Sequence, residues 1–390
     1  MKYYIIAGEA SGDLHGSNLM RGLYKQDPEA DIRFWGGGLM NAVFQEHQQG
    51  EGLVVDYKAG AVMGYKAVFK QGFSLMKKLR LCGEDIQRWQ PDVVILIDYP
   101  GFNFKVAEFA HKAGFKVYYY IAPKVWASRE GRIRKLKAWV DKLFIVFPFE
   151  IAYFQSKGVP FTYAGNPLVD AVDQHPALTE SREAFLQRTG LPDEPWIALL
   201  AGSRNMEISS MMPVYMQMAD RWHITHPEDH FVVAAAPSRT MDDYAKYLQG
   251  RPFVHVVFGE TYGALRHARA AVINSGTASL EAALIGTPQV VTYRLDRFSY
   301  CLYKLLSKVK YVSLANLIID REAFQELLQA DFTPEKVMAE LERLTADEAY
   351  CERMRADYAE VRRLLGTSGA SDAVAAAMID GLIQGAQPPQ

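Results

Sequence analysis

Short apolar runs recur along the chain, separated by longer amphipathic stretches. Residues 3–7, 32–35, 93–97, 116–120 and 143–147 are rich in the β-branched and aromatic side chains that suit a pleated strand, and helical periodicity fills the intervals between them. Strands that alternate with helices build a parallel sheet with crossover helices. The run Val93-Val94-Ile95-Leu96-Ile97 is apolar at every position, as a central strand covered on both faces must be. A breaker-rich stretch from Gly165 to about Glu180 interrupts the series, which resumes with 196–200, 230–235, 254–257, 271–273 and 289–292. From Pro334 onward the pattern is helical, with a last helix over 370–383 and a tail expected to be disordered. The prediction is an α/β chain with two doubly wound, Rossmann-like domains, 1–168 and 169–365. Residues 366–390 supply a C-terminal helix expected to pack back on the first domain, and the tail.

Open parallel sheets bind ligands outside the carboxyl ends of their strands, so two such domains facing across a cleft make every loop after a strand a suspect. Four loops stand out. Gly8-Glu9-Ala10-Ser11-Gly12-Asp13 has small residues that admit a ligand, but its two acids would repel the pyrophosphate of a dinucleotide. It suits the hydroxyls of a sugar, and the alternative for Asp13 is a helix cap. Asp98 closes the most apolar strand, where burial would raise its pKa and make it a better base; its other role would be to cap a helix starting near Asn103, a task for which Asn103 is better placed. Gly202-Ser203-Arg204, with Glu207 one helical turn on, carries a guanidinium where the first loop carries acids and so suits a diphosphate. Asn274-Ser275-Gly276-Thr277 opens a helix through small and hydroxyl residues, a start that binds anions, and Glu281 one turn in could accept both hydroxyls of a ribose or be an ordinary surface acid.

Composition narrows the class. With 49% hydrophobic and 23% charged residues in 390, the chain is long and apolar enough for two cores, and a net charge of −2 gives no overall pull toward nucleic acid. Cys82, Cys301 and Cys351 lie far apart with no metal-ligand spacing, which suits a reducing compartment. The N-terminal apolar run is too short for a signal-peptide core, and no run reaches the roughly 18 apolar residues of a membrane span. Peripheral membrane contact is the remaining option. No acid occurs between Asp56 and Glu84, where Lys58, Lys66, Lys70, Lys77, Lys78 and Arg80 alternate with Met63, Phe69, Phe73, Leu75, Met76 and Leu79. That is the composition of an interfacial helix, or of a core-facing helix with a basic outer face. A second basic cluster, 124–142, contains Trp126 and Arg129, and a third, 293–311, mixes five cations with aromatics. Without a basic excess or a nucleic-acid module, lipid, a subunit contact or packing explains the third better than RNA or DNA.

Taken in order and spacing, these segments resemble the lipid-A-disaccharide synthase family of GT-B glycosyltransferases over nearly the whole chain. The resemblance rests on the Gly8 to Asp13 loop, Ala61-Val62-Met63-Gly64, Asp98 with Phe102-Asn103, Pro123 with Val125-Trp126-Ala127, Gly202-Ser203-Arg204 with Glu207, Ser275-Gly276-Thr277-Ala278 with Leu280-Glu281, and Tyr311-Val312-Ser313-Leu314 with Asn316-Leu317. It implies an inverting transfer of 2,3-diacylglucosamine from UDP to the 6-hydroxyl of 2,3-diacylglucosamine 1-phosphate, giving the β-1,6 disaccharide of lipid A and UDP. It further implies Asp98 as base, with Glu9 and Asp13 on the acceptor side. Gly202, Ser203, Arg204, Ser275, Gly276, Thr277, Glu281, Asn316 and Gln329 would hold the UDP donor. Ser11, Met63, Phe69, Phe73, Trp126 and Arg129 would serve the acceptor or the membrane. Without an Asp-x-Asp pair at a strand end, no metal and no cofactor is expected. The expected location is the cytoplasmic face of the inner membrane, with self-association open. Two other readings are a UDP-sugar 2-epimerase-like isomerase, against which the acidic first loop argues, and a noncatalytic lipid-binding protein. Tyr99, Gly101, Lys124, Ser128, Ala201 and Gly165-Asn166 depart from the family pattern, beside the candidate groups rather than on them.

Overall fold

The computed structural model describes residues 1–57, 68–127, 129–294 and 310–386, with backbone alone at 68–74 and 385–386. Its packing divides the chain into two units, Met1–Ala171 with Leu365–Gln390, and Val172–Leu364. The division falls inside a helix, Pro167–Asp173, within the breaker-rich stretch that begins at Gly165.

Unit one contains a seven-stranded parallel sheet. Its strands are β1 (Lys2–Ala7), β2 (Asp31–Gly36), β3 (Leu53–Asp56), β4 (Val93–Ile97), β5 (Lys116–Tyr120), β6 (Lys142–Ile145) and β7 (Thr162–Tyr163), in the order β3-β2-β1-β4-β5-β6-β7. All five residues of β4 are buried, as its unbroken apolar run requires. Between β1 and β4 the order of winding reverses, and it is at such a reversal that the strand-end loops of an open parallel sheet border a ligand crevice. Those loops are Gly8 to Asp13 and Asp98 to Pro100. The C-terminal helix Ala370–Ala386 lies against the helix Ala10–Gln26, where Gly22 leaves room for the Ala375 methyl and the Ser371 carbonyl. Asp170 caps it by accepting the N–H groups of Gly369 at 2.5 Å and Ser371 at 2.8 Å.

Unit two repeats the plan with β8 (Trp196–Leu200), β9 (His230–Ala235), β10 (Val254–Phe258), β11 (Ala270–Asn274), β12 (Gln289–Tyr293) and β13 (Glu326–Leu328), in the order β10-β9-β8-β11-β12-β13. The reversal now lies between β8 and β11. Their loops carry Gly202 to Arg204 and Ser275 to Thr277. β3, β7 and β13 are edge strands of four, two and three residues, each too short for its own periodicity to announce it.

Candidate functional sites at the two switch points

In unit one the crevice is built around strained backbone. Asp98 and Tyr99 both adopt left-handed φ values, 42° and 46°, at about 1–3 kcal/mol each. Neighbours hold them there. Asn103 is fully buried, and its amide donates to the carbonyls of Ile97 at 3.2 Å and Asp98 at 2.8 Å, while the Tyr119 hydroxyl donates to the Asp98 carbonyl at 2.7 Å. The helix starts at Pro100, not near Asn103, so Asn103 is no cap. It clamps the turn from inside the helix. The ring of Tyr99 lies over Gly8, where any Cβ would collide with it, and this ties the two crevice loops together.

Asp98 is half-buried, and the pKa of its carboxyl group is raised. Burial is the main cause and the charge of Glu9 adds to it, whereas the Lys124 ammonium and the Tyr99 N–H pull the other way. Glu9 is exposed at the start of Ala10–Gln26, and Ser11 is exposed beside it. Asp13 differs sharply from both. Only 2% exposed, it accepts the N–H groups of Gly37 at 2.8 Å, Leu39 at 3.1 Å and Met40 at 3.0 Å. Both oxygens cap the neighbouring helix Gly38–His47, whose own N-cap is a glycine. His15 is buried in the helix Ala10–Gln26, which also carries Asp13, and burial lowers its pKa to about 4 against the opposing charge of Asp170.

The loop after β5 reaches the crevice through Lys124, whose charge acts on both Asp98 and Glu150. Trp126 donates its indole N–H to Glu150 at 3.1 Å and meets the Phe149 ring edge-on at 4.8 Å. Glu150 is 1% exposed and also accepts from the N–H groups of Val146 and Phe147, at 3.1 and 3.0 Å. Burial pushes its pKa up to about 7 despite these donors. Sequence reasoning missed Glu150, although Pro148 at the first helical position with an acid two residues later is a helix-start signature. Arg129 is exposed, with a left-handed φ of 59°.

Unit two has the opposite chemistry. Gly202 has a φ of 98°, and a Cβ there would meet Glu207 and stand 2.7 Å from the Asn274 amide, so the β8 and β11 loops touch across the reversal. Glu207 accepts the N–H groups of Ser203 at 2.9 Å and Arg204 at 3.0 Å. Its ion pair with Arg204 is looser, 3.7 Å, and the Arg204 side chain is 72% exposed. Glu207 therefore shapes the turn more than it holds the arginine, which projects free of the fold. Ser275 and Gly276 lead into the helix Thr277–Ile285, where no side chain caps the start. Glu281 accepts the Tyr262 hydroxyl at 2.7 Å; burial raises its pKa, and this hydrogen bond partly counters the rise. Gln329 follows β13 with a φ of 53° and bonds its N–H to the Tyr293 carbonyl at 2.9 Å.

Asn316, expected among the donor-holding residues, lies in the interior of unit two. It is fully buried, donating to Phe324 O at 3.0 Å and Glu326 Oε1 at 3.1 Å and accepting from Ala323 N at 2.8 Å. Glu326 in turn accepts the N–H groups of Val312 and Ser313, both at 2.9 Å. The pair organises the start of the helix Leu314–Ile319, and nothing in the sequence marks Glu326 for the task.

The residues expected to serve the acceptor or the membrane are only partly described. Met63 lies outside the described residues, as do the side chains of Phe69 and Phe73, Ser128 and the segment 295–309 with Cys301. In the helix Val68–Trp89, Leu75 and Leu79 pack against the core, while Met76 is 71% exposed beside exposed Lys77 and Arg80. Among the described residues, no helix is long and apolar enough to cross a membrane, and no three His, Cys, Asp or Glu side chains converge as metal ligands.

Solved structures with this architecture include an S. aureus MnaA–UDP complex, with a TM-score of 0.70 at 13% identity over 100% of this chain and 99% of the other. UDP-GlcNAc 2-epimerase from Neisseria meningitidis bound to UDP-GlcNAc gives 0.70 at 12% over 97% and 100%, and the calicheamicin glycosyltransferase CalG4 gives 0.58 at 15% over 99% of each chain. At these identities the likeness is one of fold. Sequence is more specific. The lipid-A-disaccharide synthase of Geobacter metallireducens is 36% identical over 378 residues, 96% of each chain, and that of Myxococcus xanthus 35% over 379 residues, again 96% of each. The family model described as lipid-A-disaccharide synthetase matches residues 3–378, and the chain belongs to this family of glycosyltransferases.

Proposed function

We propose that the two switch points divide the reaction of the family between them, with unit one serving the acceptor and unit two the UDP-sugar. The observation that carries this reading is the contrast in charge. The β1 and β4 loops present Glu9 and Asp98, and the β8 and β11 loops present Arg204 and an uncapped helix start. The substrates are UDP-2,3-diacylglucosamine and 2,3-diacylglucosamine 1-phosphate. Asp98 takes the proton of the acceptor 6-hydroxyl as its oxygen attacks the anomeric carbon, and the bond to UDP breaks in line. Negative charge then grows on the diphosphate, where Arg204 and the N–H groups at the start of Thr277–Ile285 receive it.

Glu281 and Gln329 hold the nucleoside side of the donor, with the Tyr262 hydroxyl fixing one oxygen of Glu281. Asn316 acts from the interior by shaping its turn with Glu326. Glu9 and Ser11 meet acceptor hydroxyls, while Asp13 acts by holding the helix beside them. No metal or cofactor takes part. The exposed Met76 with its basic neighbours suits the cytoplasmic leaflet of the inner membrane, from which both acylated substrates come. The epimerase reading is not favoured, because the Neisseria meningitidis epimerase shares fold at 12% identity whereas the Geobacter metallireducens synthase shares sequence at 36% over 96% of the chain.

Asp98→Asn and Arg204→Ala test the division of labour. Each is expected to lower disaccharide formation by about 10² or more. Only Arg204→Ala should weaken UDP binding. An Asp98→Asn variant that keeps turning over would remove Asp98 from the role of base.

A further inference from the structure

Beside the Gly202 to Arg204 turn stands a second arginine that this reading leaves unused. Arg239 lies in the loop 236–240 at the carboxyl end of β9, the strand hydrogen-bonded to β8. Its side chain is 19% exposed, against 72% for Arg204. One terminal nitrogen donates to the Asn205 side-chain oxygen, and Asn205 is both the first residue of the helix Asn205–Thr225 and the chain neighbour of Arg204. The Nε–H of Arg239 is buried without a partner, and the Asp243 carboxylate stands 3.9 Å from Nη1.

This is an unusual place for two cations. The N-terminus of a helix is its positive end, which favours anions and disfavours arginine. Several arginines of unit two close tight carboxylate forks, as Arg251 does on Asp220 at 2.6 and 2.8 Å and Arg188 on Glu180 at 2.9 and 2.8 Å. Arg204 and Arg239 have carboxylates only at 3.7 and 3.9 Å, beyond the reach of a strong charge-assisted bond. Two under-neutralised guanidinium groups thus flank the turn to which the proposed function assigns the diphosphate.

We infer that Arg239 is a second binding residue for the sugar-nucleotide diphosphate: its bond to Asn205 holds it beside the turn that presents Arg204, and its charge is kept short of a full partner for the incoming anion. The inference rests on the reading of unit two as the UDP-sugar unit. A plain structural clamp differs from it in one respect. Cutting a clamp loses stability, whereas removing a cation from a positive helix end does not.

The test is calorimetric titration of UDP into the full-length protein and its Arg239→Met and Arg239→Lys variants, with thermal melts taken without nucleotide. Arg239→Met is expected to bind UDP at least about tenfold more weakly, in keeping with the loss of one charge-assisted contact. Arg239→Lys, which keeps the charge and a donor for Asn205, should stay within about threefold of the parent. Neither should melt below the parent, and KM for the UDP-sugar should rise more than kcat falls. UDP binding within twofold of the parent in Arg239→Met, equal losses in Met and Lys, or a loss accompanied by a lower melting temperature would overturn the inference. Failure of the parent protein to bind UDP at all would instead overturn the assignment of unit two.

Discussion

Replacing Asp13 separates a group that performs chemistry from one that holds a helix in place. Its Oδ1 accepts two N–H groups, those of Gly37 and Met40, and its Oδ2 accepts that of Leu39. Asp13→Ala removes a helix cap, at about 1 kcal/mol, and strands the buried donors of Gly37 and Met40, at about 1–3 kcal/mol each. These costs overlap, so a total of about 3–5 kcal/mol is expected. Asp13→Asn can keep its oxygen where Oδ1 stands and lose only the bond from Leu39, about 1 kcal/mol. Urea unfolding of the parent and both variants measures the difference, and hydrogen exchange at residues 37–40 places it. Turnover should follow the same order, with Asp13→Asn within about tenfold of the parent, close to what 1 kcal/mol can do. Two results would refute the reasoning: full loss of turnover in Asp13→Asn at unchanged stability, or an Asp13→Ala protein that unfolds at the parent's urea concentration.

The raised pKa of Asp98 makes the acid limb of the kcat/KM profile adjustable in both directions. Lys124→Met removes a charge that favours the carboxylate and should move the limb to higher pH, whereas Glu9→Gln removes a repulsion and should move it lower; shifts of the same sign would break the assignment. Glu150 yields a stability signature. Its unfolded form ionises near the ordinary 4.5 and its folded form near 7, so between these values the unfolded chain binds fewer protons and stability falls as pH rises, by about 3 kcal/mol in all. Glu150→Gln does not titrate and should gain on the parent by that amount across the window, with Trp126 fluorescence altered; a difference flat with pH would contradict the buried, protonated state.

Much of this was legible in the chain because it follows from local rules. Apolar runs with helices between them specify parallel sheets, and parallel sheets direct attention to strand ends, where Glu9, Asp98, Arg204 and Ser275 stand. Sequence could not show which strand ends become neighbours. Pairing of β1 with β4 and of β8 with β11 is set by crossovers over tens of residues, and it is what brings Tyr99 over Gly8 and Asn274 against Gly202. Roles fixed by long-range hydrogen bonds were hidden for the same reason. Asp13 lies in the suspect loop but serves a helix 24 residues on, and Asn103 looked like a cap yet bonds back to the strand before it. Asn316 carries a family motif and still faces inward. Glu326 and Arg239 sit in unremarkable local sequence, though Arg239 occupies the same kind of strand-end loop that singled out Arg204.

The central claim is that the two switch points together catalyse glycosyl transfer between two acylated glucosamines. It is tested most directly by incubating the purified protein with UDP-2,3-diacylglucosamine and 2,3-diacylglucosamine 1-phosphate, with and without a chelator, and measuring UDP and disaccharide. The expected result is equimolar UDP and β-1,6-linked disaccharide, formed only when both lipids are present and undiminished by the chelator. UDP release or donor isomerisation without acceptor, or no disaccharide under any condition, would contradict it.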